Sequence, residues 1–263
     1  MARFCSLYSG SGGNSLFISD NNTKLLVDAG LSGKKIIEAL SEIGEDPLNI
    51  SGILISHEHV DHVRGAGVLS RKFGIPIYAN RATWSSMERQ IGEIDFKNKA
   101  YFDTNVEFSI DGIKIRAFDI PHDASEPVGF NFCVENKKIT CATDIGHINN
   151  KLLSDLEESI FMLVEANHDV EMLKVCRYPW ATKKRILGDE GHLSNEVAAE
   201  VVVHMVKRGT KKILLGHLSK ENNFPELAYE TVTNALRENG IEPDIDISLG
   251  IALRDKVGHV IEI

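Results

Sequence analysis

Along the chain, short runs of branched and aromatic residues alternate with stretches of helical spacing, and turn-formers rather than linkers separate them. The pattern predicts strands at 3–8, 15–19 and 24–28, joined first by the glycine-rich segment Ser9 to Asn14 and then by Asp20-Asn21-Asn22. A helix is expected at 32–43 and a buried strand at 52–55, then strands at 76–79, 105–110, 113–119, 128–134, 138–142, 160–164 and 212–215. Helices are expected at 81–91, 148–156, 194–208 and 225–239, with strands at 245–248 and 259–263. No repeat or low-complexity stretch interrupts the series, so residues 1–263 read as one domain of sheets with helices packed outside them.

Several of these strands end just before a polar, ligand-capable residue. Leu25-Leu26-Val27 leads to Asp28, Ile53-Leu54-Ile55 to Ser56-His57, Ile120-Pro121 to His122, Cys141-Ala142-Thr143 to Asp144, and Leu214-Leu215-Gly216 to His217. Strand ends at one edge of a sheet can converge on a common site, and the strands hold it rigid.

Composition narrows the class. With 43% apolar and 25% charged residues the chain can build an ordinary globular core. Its four cysteines, Cys5, Cys133, Cys141 and Cys176, have no CxxC spacing and read as reduced thiols. The first strand starts at Arg3, without a preceding signal-peptide pattern, and no apolar run has the length of a spanning helix. A cytoplasmic protein with no membrane partner is therefore expected. The net charge of −9 argues against indiscriminate coating of nucleic acid, though not against a local basic groove. Lys174, Arg177, Lys183, Lys184 and Arg185 form one basic stretch, with Tyr178 and Trp180 among them. Cations interleaved with aromatics suit a polyphosphate strand, with charge on the backbone and rings under the bases.

Residues 57–62 read His-Glu-His-Val-Asp-His, which places four metal-competent side chains in one tight turn. One ion is a poor match for all four, so two adjacent ions are the natural reading. Imidazole and carboxylate ligands together suit zinc, manganese or iron rather than calcium.

With Asp28, His122, Asp144 and His217 following in order, the chain resembles the metallo-beta-lactamase-fold metallohydrolases over nearly its whole length. The resemblance implies an α/β fold, a four-layer αββα sandwich with its site at one edge of the paired sheets. It also implies that His57, His59 and His122 hold one divalent ion, that Asp61, His62 and His217 hold the other, and that Asp144 bridges them. Asp28 would orient a ligand histidine. Two such ions activate water and stabilise charge on the oxygens it attacks, which is hydrolytic chemistry. Redox members of the superfamily resemble HxExD, and His59 at that position argues against electron transfer.

The segments after Asp144 bear on the substrate. Gly191-His192-Leu193-Ser194 ahead of a helix, and Gly216-His217-Leu218-Ser219, are similar to ribonuclease Z-like nucleases. By that resemblance His192 donates a proton to the leaving oxygen with help from Glu165, and these two join Asp61 as the catalytic groups. A sugar alkoxide is a poor leaving group and gains from such an acid, whereas a thiolate leaves readily. Ser-Gly-Ser-Gly-Gly-Asn-Ser, Glu-Ala-Asn-His-Asp and His-Leu-Ser-Lys-Glu-Asn-Asn-Phe-Pro together resemble the YycJ (WalJ) branch, associated with 5′ to 3′ exonuclease action on duplex DNA. The chain departs from ribonuclease Z in lacking a recognisable tRNA-clamping arm and in reading His-Leu-Ser at the last ligand. Ser11, His168, Lys183, Lys184 and Arg185 are expected to contact substrate, with DNA favoured over RNA. Two other readings stay open: a metal-dependent hydrolase of a small phosphodiester, thioester or lactone, and a metal-stabilised binding protein without catalysis.

Overall fold

The alternating pattern resolves into fourteen strands and nine α-helices in a computed structural model that describes residues 1–263. In chain order, β1 (Arg3–Tyr8), β2 (Ser15–Ser19), β3 (Lys24–Val27) and α1 (Gly33–Glu42) come first. Then follow β4 (Gly52–Leu54), α2 (Val60–Val63), α3 (Ala66–Phe73), β5 (Ile77–Ala79), α4 (Arg81–Ile91) and β6 (Lys99–Tyr101). β7 (Glu107–Ile110), β8 (Ile113–Asp119), β9 (Val128–Val134) and β10 (Lys137–Ala142) lead to α5 (Asn150–Leu156), β11 (Ser159–Glu165), α6 (Val170–Val175) and α7 (Trp180–Ile186). α8 (Asn195–Lys207), β12 (Lys212–Gly216), α9 (Pro225–Glu238), β13 (Ser248–Ile251) and β14 (Ile261–Glu262) close the series. No linker is visible in the sequence, yet the chain gathers into two compact units: Met1–Asp119, Ala124–Asn136 and Leu253–Ile263 form the first, Ile120–Asp123 and Lys137–Ala252 the second.

In the first unit a sheet runs β14-β1-β2-β3-β4-β5-β6. β14-β1, β1-β2 and β2-β3 pair antiparallel, and the turn from β2 to β3 is closed by the Asp20 carboxylate, which accepts from the amides of Asn22 and Thr23 at 2.8 and 2.6 Å. From β3 to β6 the pairs are parallel, which demands crossovers, and α1, α2 with α3, and α4 supply them. Leu7, Phe17, Leu26 and Ile53 of the sheet form the core with Ile36, Leu40, Leu69, Trp84 and Met87 of the helices. The antiparallel meander β7-β8-β9 belongs to the same unit, with Phe102 stacked on Phe108 at 5.2 Å and edge-on to Phe130 at 5.7 Å.

In the second unit β10, β11, β12 and β13 are parallel, with Ala142 opposite Val164 and Glu165 opposite Gly216. Phe161-Met162-Leu163-Val164 is fully buried, the continuous apolar run of a central parallel strand. α8, capped by Ser194, buries Ala198, Ala199, Val202 and Met205, and α9 starts on Pro225 and buries Ala228, Val232 and Leu236. The register aligns the carboxyl ends of β10, β11 and β12. In open parallel sheets ligands bind at that edge.

Two sequence expectations shift. The strand expected at 245–248 is β13 at Ser248–Ile251, because Asp244 to Ile247 is a turn closed by a 2.8 Å backbone bond, with Ile245 exposed. Alternation of Asp and Ile imitated a strand there. The short helices α2, α3, α6 and α7 and the three-residue β6 are too brief for periodicity to reveal. No helix is long and apolar enough to cross a membrane.

Packing this dense makes a sharp contrast testable by urea unfolding. Phe161→Ala, at a fully buried ring, is expected to cost about 3–5 kcal/mol of stability, whereas Phe96→Ala, at an exposed ring, should stay within about 0.5 kcal/mol of the parent.

Candidate metal centre

In the first unit the chain leaves β3 at Asp28, whose φ of 60° lies in the left-handed region. Aspartate tolerates that conformation better than a β-branched residue would. The turn aims the buried Asp28 carboxylate across at the end of β4. One oxygen accepts from the Ser56 amide at 2.8 Å, and the other lies 2.8 Å from His62 Nδ1. Ser56 Oγ contacts both carboxylate oxygens at 3.0 and 2.9 Å, so its single proton is committed to Asp28. It therefore accepts from His57 Nδ1 at 3.0 Å.

These contacts fix tautomers. With Nδ1–H donated to protein oxygens, His57 and His62 each present Nε2 as the acceptor nitrogen. His57 Nε2 faces His59 Nδ1 at 3.1 Å. That pairing is satisfied by a proton on His59 or by a cation shared between the two rings. His59 caps α2, the single turn that carries Asp61 and His62, and Asp61 Oδ2 lies 3.7 Å from His62 Nε2. The turn is clamped from below: Asn14 N bonds the Asp61 carbonyl and Ala29 N the His62 carbonyl, at 2.8 and 2.7 Å. Only glycine fits at Gly30, where a Cβ would lie 1.6 Å from the Asp61 oxygen.

The glycine-rich segment 9–14 thus acts through its last residue. Asn14 Oδ1 accepts from Gly10 N at 2.8 Å, and its Nδ2 lies 3.0 Å from His62 Nε2. Ser11 stands exposed at the tip of this turn. Neither Asn14 nor Ser56 is distinguishable in the sequence as part of the site, since an asparagine after glycine and a serine at a strand end are ordinary turn residues.

In the second unit the donors gather at the carboxyl edge of the parallel strands. Asp144 follows β10 with φ 62°, Glu165 ends β11, and His217 follows β12 with φ 54°. Glu165 is fully buried, and one of its oxygens accepts from His192 Nδ1 at 2.8 Å and His217 Nδ1 at 2.7 Å. The other accepts from the amides of Ile145 and Leu193 at 2.8 and 3.1 Å. Burial by itself would raise the Glu165 carboxyl, but the charge and hydrogen bond of His192, followed by those of His217, hold it well below the usual carboxylate range.

His122 donates through Nδ1 to the Gly191 carbonyl at 3.1 Å, so it too presents Nε2. Burial lowers its basicity, against the opposing charge of Asp144. Asp144 Oδ1 is central, 3.8 Å from His122 Nε2, 3.8 Å from His192 Nδ1 and 3.5 Å from His217 Nδ1. Ligand-capable atoms of Asp144, Glu165, His192 and His217 all lie within 4.8 Å of one another. Carboxylate oxygens set among imidazoles of fixed tautomer form a donor set that fits a divalent transition metal. His192 differs from its neighbours in exposure: its side chain is 15% accessible, against 1% for His122 and 2% for His217.

The expected substrate contacts divide. Lys184 is exposed. Lys183 is buried instead, and its ammonium donates to the Lys174 carbonyl at 2.7 Å, tying α7 to α6. Arg185 makes a two-pronged ion pair with Asp123. His168, expected to contact substrate, is 1% exposed, and its backbone pairs with Ser194 at the start of α8. Its neighbours reveal a clamp that the sequence hides: Asn223 Nδ2 reaches the carbonyls of Ala166 and Asn167 and Oδ1 of Asn195, at 2.9, 3.1 and 2.8 Å. Asn167 Nδ2 in turn holds the His217 carbonyl at 2.9 Å.

Burial lowers the His168 pKa from 6.5 to about 4, so the folded chain holds this ring neutral where the unfolded chain protonates it. Its contribution to stability is present above pH 6.5 and is lost as pH falls from there toward about 4. His168→Gln, with no titrating ring, is therefore expected to flatten the acid limb of the stability–pH curve over that window, as measured by urea midpoints.

Known proteins share this architecture. The sequence profile described as the Metallo-beta-lactamase superfamily matches residues 8–217. Exodeoxyribonuclease WalJ of Streptococcus pneumoniae is 43% identical over 249 residues, covering 94% of this chain and 93% of that protein. Exodeoxyribonuclease YycJ of Bacillus anthracis is 44% identical over 238 residues, 90% of each. Among solved structures, the metallo-beta-lactamase fold protein YhfI from Bacillus subtilis has a TM-score of 0.74 at 15% identity, covering 100% of this chain and 99% of that one. The short form of human tRNase Z has a TM-score of 0.65 at 18% identity, over 99% of both. The α/β sandwich expected from the sequence is thus the observed fold, and with strand-end histidines and carboxylates in the order HxHxDH, His, Asp, His, the chain belongs to the metallo-beta-lactamase superfamily.

Proposed function

We propose that the chain, residues 1–263 acting as one functional unit, is a metal-dependent exonuclease that hydrolyses phosphodiester bonds of DNA from the 5′ end. The observation that carries this reading is the pair of Glu165 and His192. A buried carboxylate 2.8 Å from Nδ1 of a partly exposed histidine, beside Asp144, is the equipment of a general acid. Thioester hydrolysis has less need of it, because a thiolate leaves readily. Similarity to proteins named exodeoxyribonucleases supports DNA as the substrate.

His57, His59 and His122 would hold one divalent ion and Asp61, His62 and His217 the second, with Asp144 between them. Zinc, manganese and iron(II) all suit these donors. Such ions, when bound, activate water and neutralise charge on the phosphoryl oxygens. Asp28, Ser56 and the Gly191 carbonyl hold the ligand rings in the tautomer that presents Nε2. Glu165 accepts the Nδ1–H of His192 and orients the ring, so that Nε2–H is presented to the oxygen that leaves. Exposure of this ring lets it regain its proton from solvent. Ser11 and Lys184 are exposed and would meet backbone phosphates, and a DNA substrate fits the cytoplasmic location expected from the sequence.

Three variants test the assignment on end-labelled duplex DNA with added manganese or zinc. His59→Ala and Asp144→Ala should lose bound metal and activity together. His192→Ala should retain metal and lower kcat by about 10²- to 10⁴-fold. Hydrolysis by His192→Ala at the parental rate would remove the general-acid role. Binding that is insensitive to salt would point instead to a small neutral ester, since a polyanion's affinity falls steeply as salt rises.

A further inference from the structure

The chain's two tryptophans have opposite environments. Trp84 is 4% exposed and donates Nε1 to the Ala100 carbonyl at 2.8 Å, whereas Trp180, the first residue of α7, is 73% exposed. Val175, at the end of α6 and five residues earlier, is 84% exposed. An open indole forgoes the burial that makes this side chain useful in a core, and an exposed aromatic among cations is the mark of a contact surface.

The cations around Trp180 are sorted in a way that fits a strand. Lys174 is paired with Glu171 and Arg185 with Asp123, which uses up those two acids, and Lys183 is buried with its ammonium on the Lys174 carbonyl. Arg177 and Lys184 stay exposed, with no ion-pair partner. Lys184 lies four residues after Trp180, on the same face of α7. Asp189 and Glu190 fall beyond the opposite end of the helix. What remains is an exposed ring with an exposed arginine three residues before it and an exposed lysine four residues after it, in a chain whose net charge is −9. Charge complementarity therefore selects an anionic strand with stackable rings.

The far end of α7 is fastened to the His192 loop. The His192 amide bonds the Ile186 carbonyl at 3.0 Å, and Gly191 packs so close that a Cβ there would lie 2.2 Å from the same oxygen. From Trp180 to Ile186 the helix advances about 9 Å. A stacked strand rises about 3.4 Å per nucleotide, so α7 spans about two to three nucleotides.

We propose that Trp180 is a stacking platform for a base of the DNA strand within about three nucleotides of the bond that is cut, with Arg177 and Lys184 on the flanking phosphates. The proposal rests on the nuclease reading for its substrate. The test is fluorescence anisotropy with a short fluorescein-labelled single-stranded oligodeoxynucleotide and the full-length, metal-loaded chain, in a His192→Ala background that slows cleavage. Adding Trp180→Ala should raise Kd about tenfold, and Trp180→Phe should recover most of the loss, with Tm unchanged in both. Trp180→Ala binding as tightly as its parent overturns the proposal. So does Trp180→Phe binding as weakly as Trp180→Ala, because an aromatic face would then be irrelevant, and so does a fall in Tm that tracks the lost affinity. A chain that cuts DNA without dependence on Trp180 sinks the platform alone. One that binds the oligonucleotide through Trp180 yet cuts no nucleic acid supports the platform and sinks the nuclease reading.

Discussion

One oxygen of Glu165 carries two imidazoles, those of His192 and His217, and much of the site depends on that sharing. A carboxylate buried at the end of a central strand is tolerated only if its lone pairs are filled, and the amides of Ile145 and Leu193 fill the second oxygen. The four donors come from β10's exit, β12's exit and the loop before α8. One charge thereby fixes the spacing of three chain segments. It also sets two histidines to different tasks. His217 is sealed from solvent, while His192 keeps one edge open.

The same device recurs with other acceptors. Asp28 stands behind His62, Ser56 behind His57 and the Gly191 carbonyl behind His122, each at Nδ1. Chemical variety in the acceptors conceals a uniform result, because every one of these rings turns Nε2 away from its support. Backbone conformation contributes as well. Asp28, Asp144 and His217 take left-handed φ values of 60°, 62° and 54°, within two residues of a strand end. Such residues cost of order 1–3 kcal/mol each, and the dense hydrogen bonding around them holds them in place.

Much of this was legible in the residues. The HxHxDH run after a buried strand, and Asp28, Asp144 and His217 after theirs, stand out because a polar residue ending an apolar run is conspicuous. What stayed hidden has a physical reason. Asn14, Ser56, Asn167 and Asn223 act through hydrogen bonds to groups as far as 57 residues away in sequence, and an amide or hydroxyl looks the same in a turn as in a clamp. Lys183 counts as a surface cation by type, but its long stem lets the ammonium reach a backbone carbonyl from a buried position. β13 lies three residues beyond its expected start because pairing with Lys212 to Leu215, rather than local alternation, sets its register.

If protein acceptors pre-set these rings for metal, hydrolysis should require it. Elemental analysis of the purified chain, titrated with zinc or manganese while exonuclease rate is followed, tests it most directly. Two ions per chain are expected, with activity appearing as the sites fill and vanishing on chelation. Undiminished hydrolysis of DNA by a chain exhaustively stripped of metal would contradict it.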